Sequence, residues 1–156
     1  MKEDLGIRPA TADDIPEIVR QRRLMFEDMR VGELDSLDRM EKASLSYLQQ
    51  TMAQGAYLGW LAMDGSREIA GGVGILLQSS PPRPWEVQHR RAYLLNLYVY
   101  PKHRRRGIAR RLVETSVGWC REEGYATVSL HASEVGRNLY ASLGFQPTNE
   151  MRLKLR

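Results

Sequence analysis

Between Tyr93 and His131 the chain reads strand, turn, helix, strand, and this order constrains the fold more than any other feature. Tyr93 to Val99 is an apolar run of β-formers. Ile108 to Cys120 is amphipathic at helical spacing; the helix carries on to about Glu123 and Gly124 stops it. Thr127 to His131 then reads as a second strand. A strand that returns to its own sheet through a helix crosses over right-handedly, so these two strands are expected to lie parallel. Ahead of this unit, Tyr57 to Met63, the turn Asp64-Gly65 and Glu68 to Leu77 form a hairpin, which is antiparallel. Gly71, Gly72 and Gly74 weaken its second strand and hint at a bulge or close packing.

The remaining segments fill in a layered domain. Leu5 to Arg8 is a short strand ended by Pro9, followed by overlapping capping boxes at Thr11 to Asp14 and Asp14 to Glu17. Ile15, Ile18, Val19, Met25, Phe26 and Met29 recur at helical spacing, and a second helix is expected from Leu37 to about Met52. Ser79-Ser80-Pro81-Pro82-Arg83-Pro84 reads as a mobile loop, too short for a domain boundary. A last helix from about Glu134 to Leu143 stops at Gly144, and Met151, Leu153 and Leu155 alternate as a strand. The expectation is one domain over residues 1–156, of α/β class and α+β type, with helices on the faces of a mixed sheet.

With 42% hydrophobic and 27% charged residues, disordered and collagen-like readings drop out. No apolar run approaches the roughly 18–20 residues of a membrane span, and Met1-Lys2-Glu3-Asp4 carries no secretory h-region. Cys120 is the only cysteine, and His89, His103 and His131 show no metal-ligand spacing, so neither a disulfide nor a metal is expected. These features predict a cytoplasmic protein with no membrane partner.

The net charge of +4 is concentrated, since Lys102, Arg104, Arg105, Arg106, Arg110 and Arg111 crowd one turn and helix start. A helix N-terminus offers unpaired N–H groups and the positive end of the macrodipole. Gly107 removes the Cβ that would hold a phosphate off the backbone, and the arginines add fork-shaped donors. Such a patch suits either a phosphorylated small molecule or nucleic acid. The run lacks interleaved aromatics and a recognition-helix signature, so no specific nucleic-acid partner is expected.

Arg104-Arg105-Arg106-Gly107-Ile108-Ala109 fits the Gln/Arg-x-x-Gly-x-Gly/Ala signature of the GNAT N-acetyltransferase superfamily, which the chain resembles over nearly its whole length. Leu97-Tyr98-Val99-Tyr100-Pro101 is similar to the strand end before that loop in members. Asn138-Leu139-Tyr140, Leu143-Gly144-Phe145 and Asn149-Glu150-Met151 resemble their closing segment. The resemblance implies a mostly antiparallel mixed sheet of roughly six to seven strands, a splayed parallel pair in its middle, and about four flanking helices. It implies acetyl-CoA as acyl donor and transfer to a primary amine of a small molecule or peptide by direct attack in a ternary complex.

The same resemblance assigns roles. The diphosphate would lie on the N–H groups of Arg106, Gly107, Ile108 and Ala109, with arginines of the run (Arg104, Arg105, Arg106) also able to meet the 3′-phosphate. The backbone of Leu97 and Val99 would pair with the pantetheine arm, and Asn138 would bond the donor. A backbone N–H at Leu97 or Tyr98 would stabilise the oxygen that gains charge, and Tyr140 would be the general acid. Many members carry a glutamate on this strand where the chain has Asn96, which cannot serve as a base. Glu27, Asp28, Glu134 and His131 remain open for that role. A non-catalytic acyl-CoA sensor of the same fold is the alternative.

For the acceptor, Trp85 and Glu86 would contact an ammonium, and the acids Glu27, Asp28, Glu33 and Asp35 favour a cationic amine. Trp60, Trp119 and Cys120 read as core. For assembly, Met151 to Leu155 offers an edge that could pair between chains as a homodimer, and a lone chain is the other option.

Overall fold

A computed structural model describes residues 5–156; Met1-Lys2-Glu3-Asp4, read above as lacking a secretory signal, lie outside the described residues. Five strands form one sheet in the order β1 (Gly6–Pro9), β2 (Tyr57–Met63), β3 (Ile69–Ser79), β4 (Arg90–Val99) and β5 (Val128–Ser129). The first four pair antiparallel and β4 pairs parallel with β5. The helices are α1 (Ile15–Asp28), α2 (Leu34–Ala53), α3 (Ile108–Glu122) and α4 (Arg137–Ser142), so the crossover predicted from β4 through α3 is present.

Alternation along the strands sorts the core into two layers. On one face, Ile15, Ile18, Val19 and Leu48 of α1 and α2 pack with Tyr57. On the other, Ile108, Leu112, Val113 and Cys120 of α3 and Tyr140 of α4 cover Trp60, Val73, Ile75 and Leu94. Trp119 of α3 meets Trp60 of β2 with ring centroids 6.0 Å apart. Burial pushes the Cys120 thiol up to about 11, which keeps it a poor nucleophile. The start of α1 is fixed by Asp14, which accepts the Thr11 N–H at 2.8 Å and receives Arg8 of β1 through two bonds of 2.8 Å.

The glycine-rich stretch of β3 marks a bulge in its neighbour. Gly72 pairs with Tyr98 and Gly74 with Leu95, so Asn96 and Leu97 of β4 stand opposite Val73 alone. Asn96 takes a left-handed φ of 57° to accommodate the extra residue. A Cβ on Gly74 would run into the Tyr57 hydroxyl, so that glycine makes room for the ring.

Three expectations need correction. The sheet has five strands rather than six or seven, and residues 145–156 form no regular element. Met151, Leu153 and Leu155 stand exposed, because β5 pairs over only two residues and offers too short a ladder to template another strand. For the same reason the parallel pair closes the sheet instead of lying in its middle. The loop expected to be mobile is pinned: Ser80 N–H bonds the His89 carbonyl, and Arg83 and Glu86 form an isolated bridge. Among the described residues, no helix is long and apolar enough to cross a membrane.

Candidate active site

After Val99 a 3-10 turn (Pro101–His103) leads to the arginine run. Arg105 (φ 63°) and Gly107 (φ 75°) are both left-handed, and Gly107 is the N-cap of α3. This curls the backbone so that successive N–H groups line a concavity at a helix start, the geometry of an anion nest. Apart from its own adjoining backbone, nothing lies within 4 Å of where a Gly107 Cβ would stand, so the backbone faces open space. A non-glycine residue held left-handed costs about 1–2 kcal/mol, which Arg105 carries at this turn.

The basic residues have separate tasks. Arg104 donates from Nε to the Val99 carbonyl at 2.8 Å, meets Asp28 of α1 at 2.6 Å, and lies over the Tyr98 ring at 5.5 Å. It therefore clamps the end of β4 to α1. Arg110 bonds Ser142 Oγ at 2.7 Å and so joins α3 to α4. Lys102 meets Glu68 at 2.5 Å, tying the turn to the β2–β3 hairpin. Buried His103 lies 3.7 Å from Asp64 of that hairpin; Asp64, Glu68 and His103 place ligand atoms within 4.8 Å of one another, a grouping invisible in the histidine spacing. Arg105 is exposed and makes no ion pair among the described residues.

Next to the cradle the sheet opens. β4 and β5 pair only at Ala92–Val128 and Tyr93–Ser129. Beyond them one backbone edge of β4, from Leu94 to Val99, has no strand beside it, and the bulge lies on this stretch. Tyr140 belongs to the same apolar cluster as Leu97 and Val99, edge-on to Phe145 at 5.7 Å. Its hydroxyl makes no hydrogen bond among the described residues. Burial first, and Tyr93 second, push this phenol up to about 12. Asn138 is exposed on the same short helix.

The residues expected on the acceptor side are scattered. Glu27 pairs with Arg23 at 2.8 Å and Asp28 with Arg104. Glu134 is exposed, just ahead of α4. Trp85 is 66% exposed, and Glu86 is buried against Arg83 (2.5 Å) and the Ala126 N–H (3.0 Å). These last two lie before the start of β4, roughly 20 Å of strand away from Asn96. Asn96 itself is buried, accepts from Arg22 Nη1 at 2.6 Å, and donates to the Tyr57 hydroxyl at 3.0 Å.

Four further residues join this region: Arg22, Tyr57, Tyr93 and Glu150. Tyr93 bonds His131 Nδ1 in a very short contact, and His131 Nε2 lies 3.3 Å from Glu150. The signal for Arg22 was present in the sequence. It follows Ile18 and Val19 by one helical turn, so a charge occupies a place on the apolar stripe of α1.

The model of the acetyltransferase (GNAT) family matches residues 22–145. The chain belongs to that family. Human N-acetyltransferase 8 is 33% identical to this GNAT chain over 94 residues, 58% of this chain and 39% of that protein. N-acetyltransferase 8F1 of Rattus norvegicus is 32% identical over 119 residues, 74% of this chain and 49% of the relative. The chain thus spans at most about half the length of these curated relatives. Among solved structures, a GCN5-related N-acetyltransferase from Ralstonia eutropha JMP134 superposes with a TM-score of 0.88 at 35% identity, covering 97% of this chain and 98% of that one. A predicted acetyltransferase of Clostridium acetobutylicum, solved with acetyl-CoA, has a TM-score of 0.87 at 27% identity, covering 97% and 96%. The GNAT family assignment and the fold agree across all of these.

Proposed function

We propose that this protein is an N-acetyltransferase that moves the acetyl group of acetyl-CoA to a primary amine of a small molecule or peptide, by direct attack in a ternary complex. One observation carries the reading. An unpaired strand edge, a bulge and a left-handed anion cradle follow one another within Leu94 to Ile108. A strand edge suits the amides of a pantetheine arm, and a helix N-terminus suits a diphosphate. In this assignment Leu97 and Val99 pair with the arm. Arg106, Gly107, Ile108 and Ala109 present N–H groups to the diphosphate, Arg105 reaches a further phosphate, and Asn138 bonds the donor.

Acetyl-CoA supplies the acetyl group as a thioester. The N–H of Leu97 or Tyr98 donates to the thioester oxygen as charge develops there, a contribution of about 3 kcal/mol. Tyr140 gives its proton to the departing sulfur, and its burial keeps the phenol protonated throughout the neutral range. Asn96 has no basic atom. His131, bonded to Tyr93 on one side and near Glu150 on the other, is positioned to draw the acceptor's proton through the Tyr93 hydroxyl.

The sensor alternative draws on Asn96 alone. Thermal unfolding with acetyl-CoA, followed by thiol release across an amine panel, separates the two. Saturable stabilisation with thiol release in the presence of an amine supports the enzyme; saturable stabilisation with no release across the panel supports the sensor.

A further inference from the structure

Arg22 is the one charge on the apolar stripe of α1, and its surroundings are neutral. The side chain is half-buried, with its guanidinium 5.0 Å over the Phe26 ring and one donor on the Asn96 amide oxygen at 2.6 Å. Among the described residues no carboxylate pairs with it. Its neighbours on α1 and in the cradle are treated differently: Arg23 meets Glu27, Asp38 and Glu41, and Arg104 meets Asp28. The ionisable groups bearing on Arg22 are the phenols of Tyr57, Tyr47 and Tyr93, and burial pulls its pKa below the ordinary guanidinium value. A cation withdrawn from water without a counter-charge is costly unless something else supplies that charge.

Asn96 holds this arrangement in place. Its side-chain amide is fixed in one sense, because the oxygen faces Arg22 and the nitrogen donates to the buried Tyr57 hydroxyl. It therefore orients the guanidinium without neutralising it, which an acidic residue at this position would do. Asn96 also forms the β4 bulge, immediately before Leu97 on the opened strand edge. Arg22 thus presents unused fork-shaped donors beside the place where the acceptor must stand.

We propose that Arg22 is a specificity-determining residue that binds a carboxylate of the acceptor, and that the acceptor is an amino acid or similar amine with its carboxylate close to the reacting nitrogen. This role presupposes the N-acetyltransferase reading above. It reverses the expectation of a purely cationic amine, since Glu27 and Asp28 are already paired with Arg23 and Arg104.

The test compares free amino acids with their carboxamides as acceptors, for the intact chain and its Arg22→Gln and Arg22→Lys variants. Acids should be preferred over amides by on the order of 10- to 100-fold in kcat/KM, the size of a charged hydrogen-bonded contact. Arg22→Gln should abolish the preference and Arg22→Lys should keep part of it, while stabilisation by acetyl-CoA stays the same in all three. Equal rates for acids and amides, or a preference that survives Arg22→Gln, would overturn the proposal. A second readout does not need turnover: N-acetylamino acids should stabilise the wild type more than their amides do, and not the Arg22→Gln variant. If acetyl-CoA neither binds nor is consumed, the acetyltransferase reading fails. Discrimination between N-acetylamino acids and amides would still carry the carboxylate site, and its absence would sink that site.

Discussion

Gly107 combines a φ of 75° with open space, so a side chain there meets strain rather than a wall. Gly107→Val should weaken acetyl-CoA binding roughly tenfold, through about 1–2 kcal/mol of backbone strain and a Cβ on the cradle. The acetyl-CoA-dependent shift in unfolding temperature reads this directly. Tyr140→Phe should lower kcat by about 100-fold or more with acetyl-CoA affinity retained, and an unchanged kcat would remove the phenol from the acid role. Gly74→Ala acts through a chain of contacts: the new methyl displaces Tyr57, which holds Asn96, which holds Arg22. It should cost about 1–3 kcal/mol in urea unfolding. The cradle was legible in the sequence because its parts are consecutive, so a glycine after arginines at a helix start already states the chemistry. The links of Arg22 and Tyr57 to Asn96 were not, since Asn96 lies 74 and 39 positions from them, although the place of Arg22 on an apolar stripe was.

The junction of β1 and α1 hangs on Arg8 and Asp14. The guanidinium holds the Asp14 carboxyl below its ordinary value of 3.8, with the Thr11 N–H helping and burial opposing. A depressed carboxyl stabilises the fold above that value, and the contribution is lost as pH falls through the lower folded one. Asp14→Asn should therefore cost about 1 kcal/mol near pH 7, with a gap to wild type that narrows toward pH 3; urea midpoints at both values measure it. Most elements were readable from period and punctuation. Tyr57–Met63 is the strand expected, and α3 starts and stops at its two glycines. The C-terminal alternation misled because a strand needs a neighbour as well as a pattern, and β5 pairs over two residues only. The glycines of β3 hinted at a bulge, and the strand has one at Ala70 against β2, while the bulge at the site lies in its neighbour β4.

Two buried phenols contribute to the behaviour of the whole molecule in alkali. Desolvation raises Tyr57 and Tyr140 from an ordinary value of 10.0 to about 12. Both then stay protonated when folded while the denatured chain ionises, so their contribution is intact below about pH 10 and is lost as pH climbs toward 12; that of the buried Cys120 thiol begins to fall above its ordinary 9.0. Unfolding midpoints between pH 8 and 11 should show this decline, less steep in Tyr140→Phe. The layering of helices on both sheet faces was legible, because strand and helix periods alternate along the chain. Even-numbered Ala92 and Leu94 lie in the layer beneath α3, yet past Asn96 it is odd-numbered Leu97 and Val99 that pack there. Parity along β4 therefore changes at one residue, and the strand is two half-strands spliced out of phase. Deleting Asn96 alone would splice the halves back into phase: Leu97 would follow Leu95 in ordinary alternation with its face unchanged. Val73 would face a single residue, and what the strand would lose is the one amide that holds Arg22.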